Sequence, residues 1–111
     1  MLNGARIHIL GVAYKKDIDD VRESPALDIM HLLMRRGAQV AYTDPYVPSV
    51  KVDGRTLSSQ DLDGALTSCD CAVIITDHGS VDYPLVVEKA PLVVDTRNAL
   101  KGFSSEKIVR L

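Results

Sequence analysis

The sequence predicts an α/β fold: a doubly wound, mostly parallel sheet of four to five strands with helices on both faces. Three observations predict it. Short apolar runs recur along the chain, each of strand length and stopped by a polar or turn residue. Segments with helical spacing separate them. Strands joined through helices run parallel when each crossover keeps its usual right hand.

The first run, Ile7-His8-Ile9-Leu10-Gly11-Val12, reads as a central parallel strand stopped by its glycine. Ser24-Pro25 opens a helix over residues 25–36: serine accepts a backbone N–H as N-cap, and proline at the first helical position gives up no needed donor. Ala26, Ile29, Met30 and Leu33 form its apolar stripe, widened by Leu27 and Met34. Arg35 and Arg36 suit its last turn, and Gly37 suits a left-handed stop. Gln39 to Thr43 is a second strand, closed by Asp44-Pro45. Residues 49–56 read as loop with a small turn at Asp53-Gly54, and residues 59–68 as a helix carrying Leu62, Ala65 and Leu66. Cys71 to Thr76 is a third strand, residues 81–89 a weaker helix with Pro84 near its start, and Leu92-Val93-Val94 a fourth strand ended by Asp95. A last short strand is expected within residues 107–111. The whole reads as a Rossmann-like three-layer sandwich and, at 111 residues, as one domain.

Bulk properties narrow the function. The chain is 46% hydrophobic and 25% charged, ordinary for a soluble globular protein. A net charge of -2 and the lack of a basic face give no reason to expect nucleic acid. The apolar runs are far shorter than the roughly 20 residues that span a bilayer, and the first residues lack a signal peptide's apolar stretch. Cys69 and Cys71 are one residue apart; on a strand both thiols would share a face, a spacing that suits neither a disulfide nor zinc. They read as small packed thiols in a reducing cytoplasm. No His, Cys and carboxylate set has metal-ligand spacing, so no metal is expected.

The most informative segment is the loop after the first strand, Gly11 to Pro25, which carries Tyr14, Lys15, Lys16 and Arg22. In a parallel sheet the strand ends at Gly11, Asp44, Thr76-Asp77-His78 and Asp95-Thr96-Arg97-Asn98 lie along one edge, where open α/β sheets bind ligands. Lys15, Arg22, His78 and Arg97 are therefore expected to converge on one crevice. With free backbone amides near Gly11 and at the helix start, such cations suit a diphosphate. The competing reading is that Lys15, Lys16 and Arg22 only neutralise Asp17, Asp19, Asp20 and Glu23. Tyr14 could stack on a base or sugar, or merely cover the sheet edge. A dinucleotide fingerprint needs three glycines at the first turn, and only Gly11 is present. Asp44, Asp77 and Asp95 are expected to cap loops or orient the arginines; His8 and His31 are expected to be structural.

Gly11 to Asp17, Asp20 to Pro25, Tyr42 to Tyr46, Ile75 to His78 and Asp95 to Asn98 together resemble the C-terminal domain of UDP-glucose/GDP-mannose 6-dehydrogenases. The tone is closest to bacterial UDP-N-acetylglucosamine or UDP-N-acetylmannosamine 6-dehydrogenases. The resemblance implies a larger, homo-oligomeric enzyme. In it an N-terminal domain binds NAD, a central region helps form the dimer, and this domain closes over the UDP-sugar. The sugar C6 alcohol would be oxidised to a carboxylate in two steps, reducing two NAD through a thiohemiacetal on a cysteine. By motif, Tyr14, Lys15 and Arg97 would bind the nucleotide-sugar, and Arg22 would reach the NAD of the other domain. Tyr14 stands where phenylalanine is commoner. The family's glycine fingerprint, catalytic cysteine and central lysine and asparagine have no counterpart here, so no catalytic residue is expected. The chain reads as an excised piece or a truncated reading frame that does not reduce NAD alone. The main alternative is a stand-alone flavodoxin-like binding or regulatory module, such as a receiver, although lysines after the first strand argue against the receiver's acidic magnesium cluster. A purely structural assembly domain with solvated loop charges is a third possibility.

Overall fold

The computed structural model describes residues 3–13 and 24–111. Its elements in chain order are β1 (Arg6–Leu10), α1 (Pro25–Arg35), β2 (Gln39–Thr43), β3 (Ser49–Val52), β4 (Arg55–Ser58), α2 (Leu62–Ser68), β5 (Cys71–Ile74), α3 (Tyr83–Lys89), β6 (Val93–Asp95) and β7 (Ile108–Arg110). Five strands form one sheet in the order β2-β1-β5-β6-β7, and all four pairings are parallel.

The register aligns the strand ends. Leu10 lies beside both Thr43 and Ile74, Ile74 beside Asp95, and Asp95 beside Arg110. Chain order reverses between β1 and β5, because β1 connects to β2 on one side and the chain returns to β5 on the other. This is the switch point at which open sheets leave a crevice.

Alternation along the strands feeds two apolar layers. Ile7 and Ile9 face a layer with Ala26 and Met30 of α1, while Leu10, Ala72, Ile74 and Val93 face a layer with Leu66 of α2 and Val86 of α3. Helices therefore cover both faces, as expected. The boundaries of α1 follow the predicted chemistry. Ser24, extended at φ −69° and ψ 126°, accepts the Ala26 N–H at 3.2 Å, with Pro25 in the first turn. Gly37 takes φ +90°, and the Gly37 and Ala38 amides donate to Met34 and Leu33, a two-bond left-handed stop.

Three expectations need correction. β1 and β5 end at Leu10 and Ile74, before the predicted ends at Val12 and Thr76, because the chain leaves the ladder at the switch point. α2 begins at Leu62 rather than at residue 59, since Asp61 supplies the cap through Gly64 N–H. Residues 49–56 are not loop: β3 and β4 form an antiparallel hairpin whose turn residues, Asp53 and Gly54, have φ of 54° and 76°. Two successive positive φ values make the tight turn whose twist suits a hairpin. Val50 and Val52 point from it into the α1 layer.

Candidate functional site at the carboxyl edge of the sheet

The turn after β1 is held by the side chains of Asp44, Thr76 and the α1 cap Ser24 and by the Thr43 carbonyl. Gly11 N–H donates to the Thr43 carbonyl. The Val12 and Ala13 amides both donate to Asp44 Oδ2, at 2.8 and 3.0 Å. The Val12 carbonyl accepts from Ser24 Oγ at 2.6 Å, and the Ala13 carbonyl from Thr76 Oγ1 at 2.7 Å. Gly11 sits at φ +87°, and a Cβ there would come within 2.5 Å of the Thr76 carbonyl oxygen. The turn is therefore pressed against the end of β5, and only glycine fits.

Asp44 is fully buried. Its Oδ1 accepts the Tyr46 N–H at 2.8 Å, and its Oδ2 lies 2.9 Å from His78 Nε2. That oxygen already accepts two amide N–H groups, so Nε2 is the donor in this contact. Tyr46 leans on the His78 ring at a centroid distance of 5.0 Å.

At the next strand end, Asp95 is also buried and caps its own loop. Its carboxylate accepts the amides of Arg97, Ala99 and Leu100 at 3.0, 3.1 and 2.8 Å. Thr96 Oγ1 donates to the Ile74 carbonyl, and the Arg110 guanidinium donates to the carbonyls of Leu100 and Phe103. Asn98 tolerates φ 57° in this turn. The loop backbone is thus fixed on three sides while Arg97 stays exposed. Its guanidinium has no ion pair among the described residues.

The predicted site residues fare differently. Arg97 stands on the expected edge. Tyr14, Lys15 and Arg22 lie outside the described residues. His78 does reach this edge, but it is buried against Asp44 rather than lining a crevice. The expected free amides near Gly11 are not free: those of Gly11, Val12 and Ala13 all have partners, and Ser24 takes the Ala26 amide. The amides of Gly11, Val12 and Ala13 are therefore not available to a phosphate. Asp44 and Asp95 cap loops, as the sequence suggested. Asp77 lies near the Tyr83 hydroxyl without meeting it in hydrogen-bond geometry; burial first, and then Asp77, raise the Tyr83 pKa. That Ser24 and Thr76 hold the carbonyls of this turn, and that it is the first turn that Asp44 caps, was not predicted. The signal available was a polar residue at each strand end, which becomes meaningful once the strand order is known.

The cysteines belong elsewhere. Cys69 caps the end of α2 rather than lying on a strand, and Cys71 opens β5, so both sit toward the opposite edge of the sheet. Their thiols also pack into opposite layers instead of sharing a face. Burial raises both thiol pKa values, which disfavours the nucleophilic thiolate.

Two clefts lie away from this edge. One, of about 220 Å³, runs beside Arg6, His8, Ala41 and Cys69. The other, of about 350 Å³, lies by Arg35 and Arg55 at the end of α1. Neither touches the strand ends that carry Arg97 and Asp44. No helix among the described residues is long and apolar enough to cross a membrane.

Comparison with known proteins agrees with the geometry. Residues 8–102 match the UDP-glucose/GDP-mannose dehydrogenase family, UDP binding domain. The chain is 35% identical to a UDP-glucose 6-dehydrogenase of Rickettsia bellii, across 96% of its own length and 27% of the relative's. It is 31% identical to a UDP-N-acetyl-D-mannosamine dehydrogenase of Methanococcus maripaludis, across 86% of this chain and 23% of the relative. It superposes on a UDP-D-ManNAc dehydrogenase structure from Pyrococcus horikoshii with a TM-score of 0.76 at 29% identity, covering 98% of this chain and 26% of that one. The chain spans about a quarter of the length of these relatives. A parallel sheet with this switch point, an arginine presented at its carboxyl edge, and a match through nearly all of its strands make the chain a member of the UDP-glucose/GDP-mannose dehydrogenase family, corresponding to its UDP-binding C-terminal domain.

Proposed function

We propose that this chain is the UDP-sugar-binding part of an NAD-dependent nucleotide-sugar 6-dehydrogenase, an enzyme that oxidises the sugar C6 alcohol to a carboxylate. The observation that carries the reading is the Asp95-capped loop, which holds Arg97 exposed and without an ion pair among the described residues, one strand from the switch point. A fixed guanidinium there suits two phosphate oxygens at once.

Tyr14 and Lys15 complete the nucleotide contact from the loop after β1, with Lys15 acting as a point charge on phosphate or ribose. Arg22 serves the cofactor held by another domain. NAD supplies the hydride acceptor of the whole enzyme. The residues described here do not fit its pyrophosphate, because the amides of the first turn are already occupied. The two cysteines are raised in pKa and lie toward the other edge, so this domain contributes binding and closure rather than the nucleophile.

The reading predicts that UDP and UDP-sugars raise the unfolding midpoint of the 111-residue chain in a concentration-dependent way, as any ligand of the native state does. Uridine, lacking phosphates, should do so far less. A midpoint unmoved by saturating UDP would contradict it.

A further inference from the structure

We propose that Asp44 is a built-in anion that fills the phosphate position of the first turn, and so decides which nucleotide chemistry this domain can accept. In dinucleotide-binding α/β folds, the amides after the first strand hold the pyrophosphate. Here the same turn points two successive amides, Val12 and Ala13, at one oxygen of Asp44, and His78 Nε2 brings a third donor to that oxygen. The other oxygen takes the Tyr46 amide. Four donors on a carboxylate with no solvent exposure are what an oxyanion would receive there, but the anion comes from the end of β2.

The sequence agrees. Ala13 occupies the place of the second glycine of the G-x-G-x-x-G fingerprint, the residue whose missing side chain lets a pyrophosphate approach the backbone. An external phosphate would have to displace a buried, fully hydrogen-bonded carboxylate and meet its charge. The turn is closed to dinucleotides, and any phosphate bound at this edge is moved outward, toward the exposed Arg97. Where UDP is the ligand, as proposed above, Asp44 becomes a specificity-determining residue that it never touches.

Removing the carboxylate should turn the turn into an anion site. Asp44→Ala leaves the four donors facing a space of carboxylate size. In amide-resolved NMR spectra of the full chain, formate should shift the Val12 and Ala13 resonances of Asp44→Ala saturably and raise its unfolding midpoint. Chloride at equal ionic strength should do neither, and formate should leave both amides of the wild type in place. Pyrophosphate or UDP added to the wild type should move the Arg97 amide and spare Val12 and Ala13.

The proposal is overturned if folded Asp44→Ala shows no formate response, or if pyrophosphate moves Val12 and Ala13 of the wild type as strongly as Arg97. Should Asp44→Ala fail to fold, Asp44→Asn decides: its midpoint should fall by about 5 °C or more and not recover in formate, because the amide fills the space. A midpoint equal to wild type would overturn the proposal. Failure of UDP to bind at all would count against the function proposed above, while the formate response still decides the role of Asp44.

Discussion

Gly11 and His8 show how single positions set the limits of this domain. Gly11 combines a left-handed φ of +87° with a Cβ direction that ends 2.5 to 2.9 Å from Thr76 atoms, two of which are backbone and cannot swing aside. Gly11→Ala should therefore cost about 2–4 kcal/mol, read as a lower denaturation midpoint at unchanged slope. An Ala variant as stable as wild type would contradict the close approach of the turn to β5. His8 is buried in β1 with Nε2 2.7 Å from Thr43 Oγ1, and burial lowers its pKa from 6.5 to about 4. The folded state then binds the proton more weakly than the unfolded chain. Its contribution is complete above pH 6.5, falls as pH drops from 6.5 to about 4, and changes no further below that. The full effect is about 3 kcal/mol at most. His8→Leu should flatten this part of the acid limb when urea stability is compared at pH 7 and pH 4.5. An equal acid loss in both proteins would assign it to other groups.

At the scale of elements, Ser24 joins two jobs. Its hydroxyl oxygen caps α1 through Ala26 N–H, and its proton goes to the Val12 carbonyl. Ser24→Ala should cost about 2 kcal/mol, more than a simple cap, because the buried Val12 carbonyl also loses its donor. A cost of only a few tenths in chemical denaturation would show that the turn does not need this bond. The cap itself was legible in the sequence, as were Gly37 and the bounds of β2, because each rests on chemistry within a few neighbouring residues. The β3–β4 hairpin was not read from the sequence: the turn at Asp53-Gly54 was, but the short stretch with only Val50, Val52 and Leu57 as apolar positions reads equally as loop. The Asp44–His78 pair was not legible. Its members are 34 residues apart, and only the order β2-β1-β5 brings the ends of two strands together across a third. Nor could the sequence show that the first-turn amides are occupied, since their partner comes from another strand.

For the whole molecule, a net charge of -2 offers little long-range attraction for a phosphate ester, so the proposed recognition depends on cations placed locally at the carboxyl edge. The fold places Arg97 there on a loop fixed by Asp95 and Arg110, and it closes the neighbouring turn with Asp44. On the proposed reading these two features divide the edge into a part open to phosphate and a part already filled. The proposed division of labour follows the same line, with the nucleotide-sugar at this edge and the dinucleotide on another domain. The chain spans about a quarter of the length of these relatives, and on the proposed reading the oxidation belongs to the rest of the enzyme.

Calorimetric titration of UDP into the wild-type chain and into Arg97→Ala and Lys15→Ala tests the central claim most directly. The account predicts measurable, salt-sensitive binding to the wild type that each substitution weakens by about tenfold, the loss of one charge-assisted contact. Binding of equal strength in all three proteins, or no heat with the wild type, would contradict it.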